Sequence, residues 1–196
     1  MLRSVALVAL LAAGLAACTV PDAEPAVDPT LIRSALDACM HERVSDGLGR
    51  LDSLLATAPG HADVLATRGL CRAVRFAADS VQADARAAFA DLSAAVDGIT
   101  AAPDAFETPL GGLYNQRAFV VRAMRPDDWP AAIADLSRAV AADPQNSAFV
   151  LDRGVAHALS GDTARARADL RQFERLAPGD AARVRPLRDL LRPAGT

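Results

Sequence analysis

The chain has 196 residues, 52% hydrophobic and 23% charged, enough for one domain with an apolar core. Its formal net charge of −3 lacks the basic footprint of a nucleic-acid binder. No lysine is present and every strong base is arginine, which excludes Schiff-base chemistry and a phosphate-loop lysine. Aromatic residues make up only 4%, so the core has to come mainly from Ala, Leu and Val, side chains that suit closely packed helices.

At the N-terminus Arg3 supplies a positive start, Val5 to Leu11 an apolar run, and Leu15-Ala16-Ala17-Cys18 closes it. The run is too short to span a bilayer and has signal-peptide flanks. Leu-Ala-Ala-Cys resembles a bacterial lipobox, which implies removal of residues 1–17 and a thioether lipid on Cys18; an ordinary signal peptide that happens to end at Cys is the plainer alternative. Thr19, where an Asp is absent, resembles lipoproteins sent on to the outer membrane, so the resemblance implies a protein held at the periplasmic face of that membrane. Residues 18–29 then read as a flexible tether, with three prolines, three acids and no large apolar cluster.

From residue 28 the pattern becomes helical and repeats. In 28–61 the apolar and small positions are Leu31, Ala35, Gly47, Leu51 and Leu54, with Pro59 as a stop. In 62–103 they are Leu65, Gly69, Ala88, Leu92 and Ala95. Pro103, Pro109 and the Gly111-Gly112 pair make 98–112 a long loop. Residues 111–146 carry Tyr114, Ala118, Ala132, Leu136 and Ala139, then Pro144, and Asp128-Trp129-Pro130 opens the second helix with Asp as N-cap.

The pattern is cleanest in 147–180. Val150, Val155, Ala158 and Leu159 form one helical stripe, Gly161-Asp162 breaks and recaps the chain, and Ala166, Leu170, Phe173 and Leu176 form a second stripe before Pro178. Gly154 costs about 1 kcal/mol in mid-helix, which makes sense if a partner helix crosses closely, at Ala166. From Gly69 to Ala88 there are 19 steps and from Gly154 to Ala166 there are 12, so the second unit holds seven extra residues, in longer helices or a longer turn. Residues 181–192 read as a last amphipathic helix, interrupted by Pro186, that caps the array.

These units resemble the tetratricopeptide repeat (TPR), most closely in the third and fourth. The resemblance implies an all-α fold over residues 30–192: a short right-handed superhelical α-solenoid of about four helical hairpins with a C-terminal capping helix. It implies a scaffold that binds a protein or peptide partner in envelope assembly, secretion or remodelling, with no enzymatic activity and no cofactor. A rival reading is a periplasmic enzyme or small-ligand accessory protein with a pocket near the 98–112 loop.

Arg68, Arg117 and Arg153 recur at one position of units two to four, and Asp91, Asp135 and Asp169 at another. Unit one has Ser34 and Arg50 there, so both partners are lost together. The coincidence predicts a structural ion pair joining helices, either within a unit or between neighbours. With Cys18 lipidated, Cys39 and Cys71 remain, an even count for an oxidising compartment. They fall on consecutive first helices, neighbours in a TPR stack. A disulfide, two buried free thiols, or a zinc site with His41 and His61 remain open, though no CxxC or HxxxH spacing supports the metal. His41, His61, His157, Ser137 and Ser160 lie in no nucleophile motif, and neither GxSxG nor GxGxxG occurs.

The resemblance also implies where a partner would lie, since in TPR folds the first helices of successive repeats line a concave groove. Here that wall would hold Ile32, Leu36, Leu70, Asn115, Phe119, Arg122, Leu151 and Val155, mostly apolar, with Arg122 as its main charge. The Lys/Asn/Arg clamp by which some TPR co-chaperones hold a C-terminal carboxylate is missing. The alternative is that the 98–112 loop or the capping helix covers this row.

Overall fold

A computed structural model describes residues 26–41 and 43–192. The leader, the lipobox with Cys18, and residues 19–25 lie outside the described residues. Helix α1 (Pro29–Met40) pairs with α2 (Val44–Thr57), α3 (Ala62–Asp79) with α4 (Gln82–Ala101), α5 (Leu110–Met124) with α6 (Trp129–Ala142), and α7 (Ser147–Leu159) with α8 (Thr163–Leu176); α9 (Ala181–Leu190) closes the array. The fold is an all-α solenoid. Among the described residues no helix is long and apolar enough to cross a membrane.

The helix starts follow local chemistry. The side chains of Asp28, Asp128, Asn146, Asp162 and Asp180 each accept a backbone N–H of the helix they precede, satisfying donors that the first turn leaves open. Gly161 and Gly179 take φ of +88° and +91° at the turns into α8 and α9, a conformation that costs glycine nothing. The seven extra residues of the second unit lengthen its helices to 18 and 20 residues. Helix α9 runs through Pro186 instead of breaking there; Val184 and Leu187, both buried, hold it against the solenoid.

The apolar interior falls into separate clusters. The largest spans the first two hairpins and reaches Leu113 and Val120 of α5. A second gathers Val150, Leu151, Ala166 and Phe173 with Val184 and Leu187 of α9. Between them lies a small cluster of Ala118, Val121, Ala132, Leu136 and Ala156. Helix α1 packs on α3 and α3 touches α5, but α5 and α7 stand apart. Ala118 of α5 and Ala156 of α7 lie at the base of the angle between them.

Each Arg–Asp pair closes within its own hairpin. Arg68 donates Nε and Nη2 to Asp91 at 2.8 and 2.7 Å, Arg117 to Asp135 at 2.8 and 2.7 Å, and Arg153 to Asp169 at 3.2 and 2.6 Å. All three carboxylates are buried, and each has a second base near it: Arg72, Arg138 and His157 respectively. In the first hairpin the geometry persists with other chemistry, since Arg50 Nη1, standing where the acids stand, donates to Ser34 Oγ at 2.8 Å. Burial pushes the His157 imidazole below its usual value, and Asp169 offsets part of that.

Cys39 on α1 and Cys71 on α3 form a disulfide, with Cα atoms 5.6 Å apart and both residues buried. Asp63, also buried, accepts the backbone N–H groups of Glu107 and Thr108 at 3.0 and 2.9 Å, and His61 meets the Phe106 ring edge-on. The connection between α4 and α5 is thereby pinned to the start of α3; it is shorter than the 98–112 loop expected from the sequence, because α4 runs on to Ala101 and α5 starts at Leu110.

Gly154 marks a close approach, but not chiefly to Ala166. A Cβ there would lie 2.8 Å from Leu187 Cδ2 and 3.0 Å from Asp169 Cβ, with the nearest Ala166 atom at 3.8 Å. The partner helix α8, at Asp169, and the capping helix, at Leu187, both require the glycine. Gly154→Leu should therefore cost about 1–3 kcal/mol or more by overpacking, whereas Gly112→Ala, with nothing within 4 Å of its Cβ, should be close to neutral. Thermal melting of the two variants checks this; an unchanged midpoint for Gly154→Leu would remove the close-approach argument.

Candidate functional site: the cleft between α5 and α7

The separation of α5 from α7 leaves an open cavity of about 450 Å³. Its floor is Ala118, Leu136 and Ala156, small or buried residues of the minor cluster. Its walls are Phe119 from α5 and Val155 and Leu159 from α7. Phe119 is 52% exposed and Leu159 48%, large apolar surfaces facing water across a concave gap. Isolated exposed apolar side chains need no explanation; a facing pair over an apolar floor does.

Polar groups stand at the two ends. At one, Asn115 Nδ2 donates to Asp152 Oδ2 at 2.7 Å, bridging α5 to α7. Desolvation pushes the Asp152 carboxyl above its ordinary value, with the Asn115 hydrogen bond pulling the other way. At the other end the Arg122 guanidinium lies 3.2 Å from the centroid of the Trp129 ring, a cation–π stack. No carboxylate pairs with Arg122 among the described residues, and its Nη1 is buried without a hydrogen-bond partner. A buried, unsatisfied donor of this kind costs about 1–3 kcal/mol. The other buried-side arginines of the array, Arg68, Arg117 and Arg153, all have their acids.

The structure divides the row expected from the sequence. Asn115, Phe119, Arg122 and Val155 line the cleft together. Ile32, Leu36 and Leu70 are half-buried on α1 and α3 and do not reach it; Ile32 packs against the largest cluster. Leu151 is a correction: it is buried with Val184 and Leu187, so the capping helix covers it. No residue of the 98–112 loop lines the cleft. Three contributors were not singled out as site residues in the sequence: Leu159, Asp152 and Trp129. Leu159 was visible as part of the α7 apolar stripe, but the Arg122–Trp129 stack joins two helices and leaves no local sequence signal.

A second cavity, about 640 Å³, lies beside the α4–α5 connection between Phe106, Leu110 and Phe149, and the acids on its lining, Glu107 and Asp143, are exposed. Near His157, Ser137 Oγ donates to the Ile133 carbonyl at 2.7 Å and Asp169 is engaged by Arg153, so these three side chains make no proton relay. Among the described residues no group of three or more His, Cys, Asp or Glu is placed to hold a metal ion.

Residues 121–192 match the family described as tetratricopeptide repeat. No curated protein matches the chain. Among 37 matching chains of solved structures is YrrB, described as a TPR protein with an unusual peptide-binding site, at TM-score 0.60 and 16% identity over 78% of this chain and 70% of that one. The protein has the fold of a tetratricopeptide-repeat solenoid, and its residues 121–192 carry the sequence pattern of that family.

Proposed function

We propose that the protein is a scaffold of the bacterial cell envelope, lipid-anchored through Cys18, that holds a segment of a partner protein in the cleft between α5 and α7. The single observation that carries the binding site is the pairing of exposed Phe119 and Leu159 across an apolar floor, a surface that stays costly in water until something covers it. The scaffold class is supported by the TPR fold, and the likeness to YrrB, a TPR protein with an unusual peptide-binding site, favours an extended or helical peptide over a small metabolite. The envelope location rests on the sequence alone, on Leu15-Ala16-Ala17-Cys18 and Thr19.

Two outcomes are expected. Phe119→Ala combined with Arg122→Glu should abolish retention of the native partner from envelope extracts. Circular dichroism should stay unchanged and the melting shift should be modest, since a half-buried cation–π stack contributes about 1–2 kcal/mol. A folded double variant that keeps its partner would place binding on another surface. Separately, Cys18→Ser should stop lipid attachment and processing; unchanged incorporation of labelled palmitate would remove the anchor.

A further inference from the structure

The cleft is not electrically uniform, and its polarity says what kind of peptide fits. Asn115 and Arg122 are seven residues apart on α5, about 10 Å along the axis at 1.5 Å per residue, so they mark opposite ends of one face. The Asn115 end holds the Asp152 carboxylate, which would repel an acid. The Arg122 end holds a cation that has no acid among the described residues, fixed in orientation by the face of Trp129 and carrying a buried Nη1 that none of them satisfies. In this chain buried-side arginines are otherwise met by two-oxygen acceptors, as Arg68, Arg117 and Arg153 show. A planar guanidinium stacked on an aromatic ring offers its edge to the same kind of acceptor.

We infer that the occupant of the cleft is a peptide segment in which a large apolar side chain is flanked on one side by a carboxylate. The apolar side chain sits between Phe119, Val155 and Leu159, and the carboxylate pairs with Arg122. The acid lies on the Trp129 side of the apolar residue and not on the Asp152 side. This rests on the reading of the cleft as a peptide site and adds the chemistry by which it selects.

Selection of a random displayed-peptide library on the immobilised full chain tests it. Wild type should enrich peptides with Asp or Glu within one or two residues of an aromatic or long aliphatic residue. A synthetic peptide from that pool should bind about tenfold or more weakly to Arg122→Gln, which keeps its fold by circular dichroism and melting. Changing the peptide's acid to its amide should cost as much, and both changes together should cost little more than either alone. Peptides that compete at Phe119 but show no acid preference, or bind Arg122→Gln as well as wild type, would overturn the inference and leave the peptide site standing. If no enriched peptide depends on Phe119, both readings fall.

Discussion

Reduction of the Cys39–Cys71 bond should lower the unfolding free energy by about 3–4 kcal/mol, the largest single effect expected in this chain. The bond closes a loop with a sequence separation of 32 residues, so it removes many open conformations from the unfolded chain. Its position adds to this, because among the described residues α1 and α2 form the first hairpin and the helix that packs on both is α3. Leu31 and Met40 of α1 remain 50% and 58% exposed, apolar surface that packing does not use. Without the bond, the first hairpin should detach at lower denaturant than the rest, turning one transition into two. Urea melts with and without reductant, and of the Cys39→Ala/Cys71→Ala variant, check this. Coincident midpoints, or two titratable thiols besides Cys18 in the denatured, unreduced protein, would contradict it.

Asp91→Ala should be the most damaging change among the ion pairs. Asp91 is 5% exposed and accepts from Arg68 twice and from Arg72 at 2.5 Å, while Arg68 also reaches Asp52 of the preceding hairpin at 2.8 Å. Removing the acid leaves Arg72 without its acid and Arg68 with only the exposed Asp52, the two guanidinium groups close together. Breaking a fully buried pair costs about 3–5 kcal/mol, but both arginines keep about a fifth of their side chain in water, which brings the expectation to about 2–3 kcal/mol. Asp52→Ala, whose acid is 56% exposed, should cost well under 1 kcal/mol by comparison. The two variants differ only in which acid of one network is removed. Similar melting points would show that burial does not set the energetics of the array.

Much of the fold was legible because each repeat states it again. The Gly161-Asp162 break, the Asp128 cap before Pro130, and the joint recurrence of Arg and Asp are local patterns, and local patterns survive in a single sequence. The pairing of Arg with Asp was readable, but not its partner choice: own-hairpin separations run from 16 to 23 residues, and next-hairpin ones overlap that range. The cleft was half legible. Phe119 and Val155 follow from helical periodicity, whereas the fate of Leu151 depends on α9, whose docking on α7 is a tertiary outcome with no marker beyond Pro186. The same docking adds Leu187 to the partner helix, met at Asp169 in place of Ala166, as a reason for Gly154. Asp63 is a first-turn acid of α3 whose hold on Glu107 and Thr108 has no local signal, since those residues lie more than forty positions away in the chain.

Site-directed photo-crosslinking in cells that make the native protein tests the central claim, that the α5–α7 cleft is where a partner is held. A photoreactive phenylalanine analogue at Phe119 changes little in volume and points its reactive group into the cleft. The same analogue at Arg86 or Arg167, exposed residues of α4 and α8 that do not line the cleft, serves as comparison. The account predicts one discrete adduct from position 119, absent from positions 86 and 167 and lost when Leu159→Ala is added. An adduct of equal yield from position 86 or 167, with none from 119 in folded protein, would contradict it.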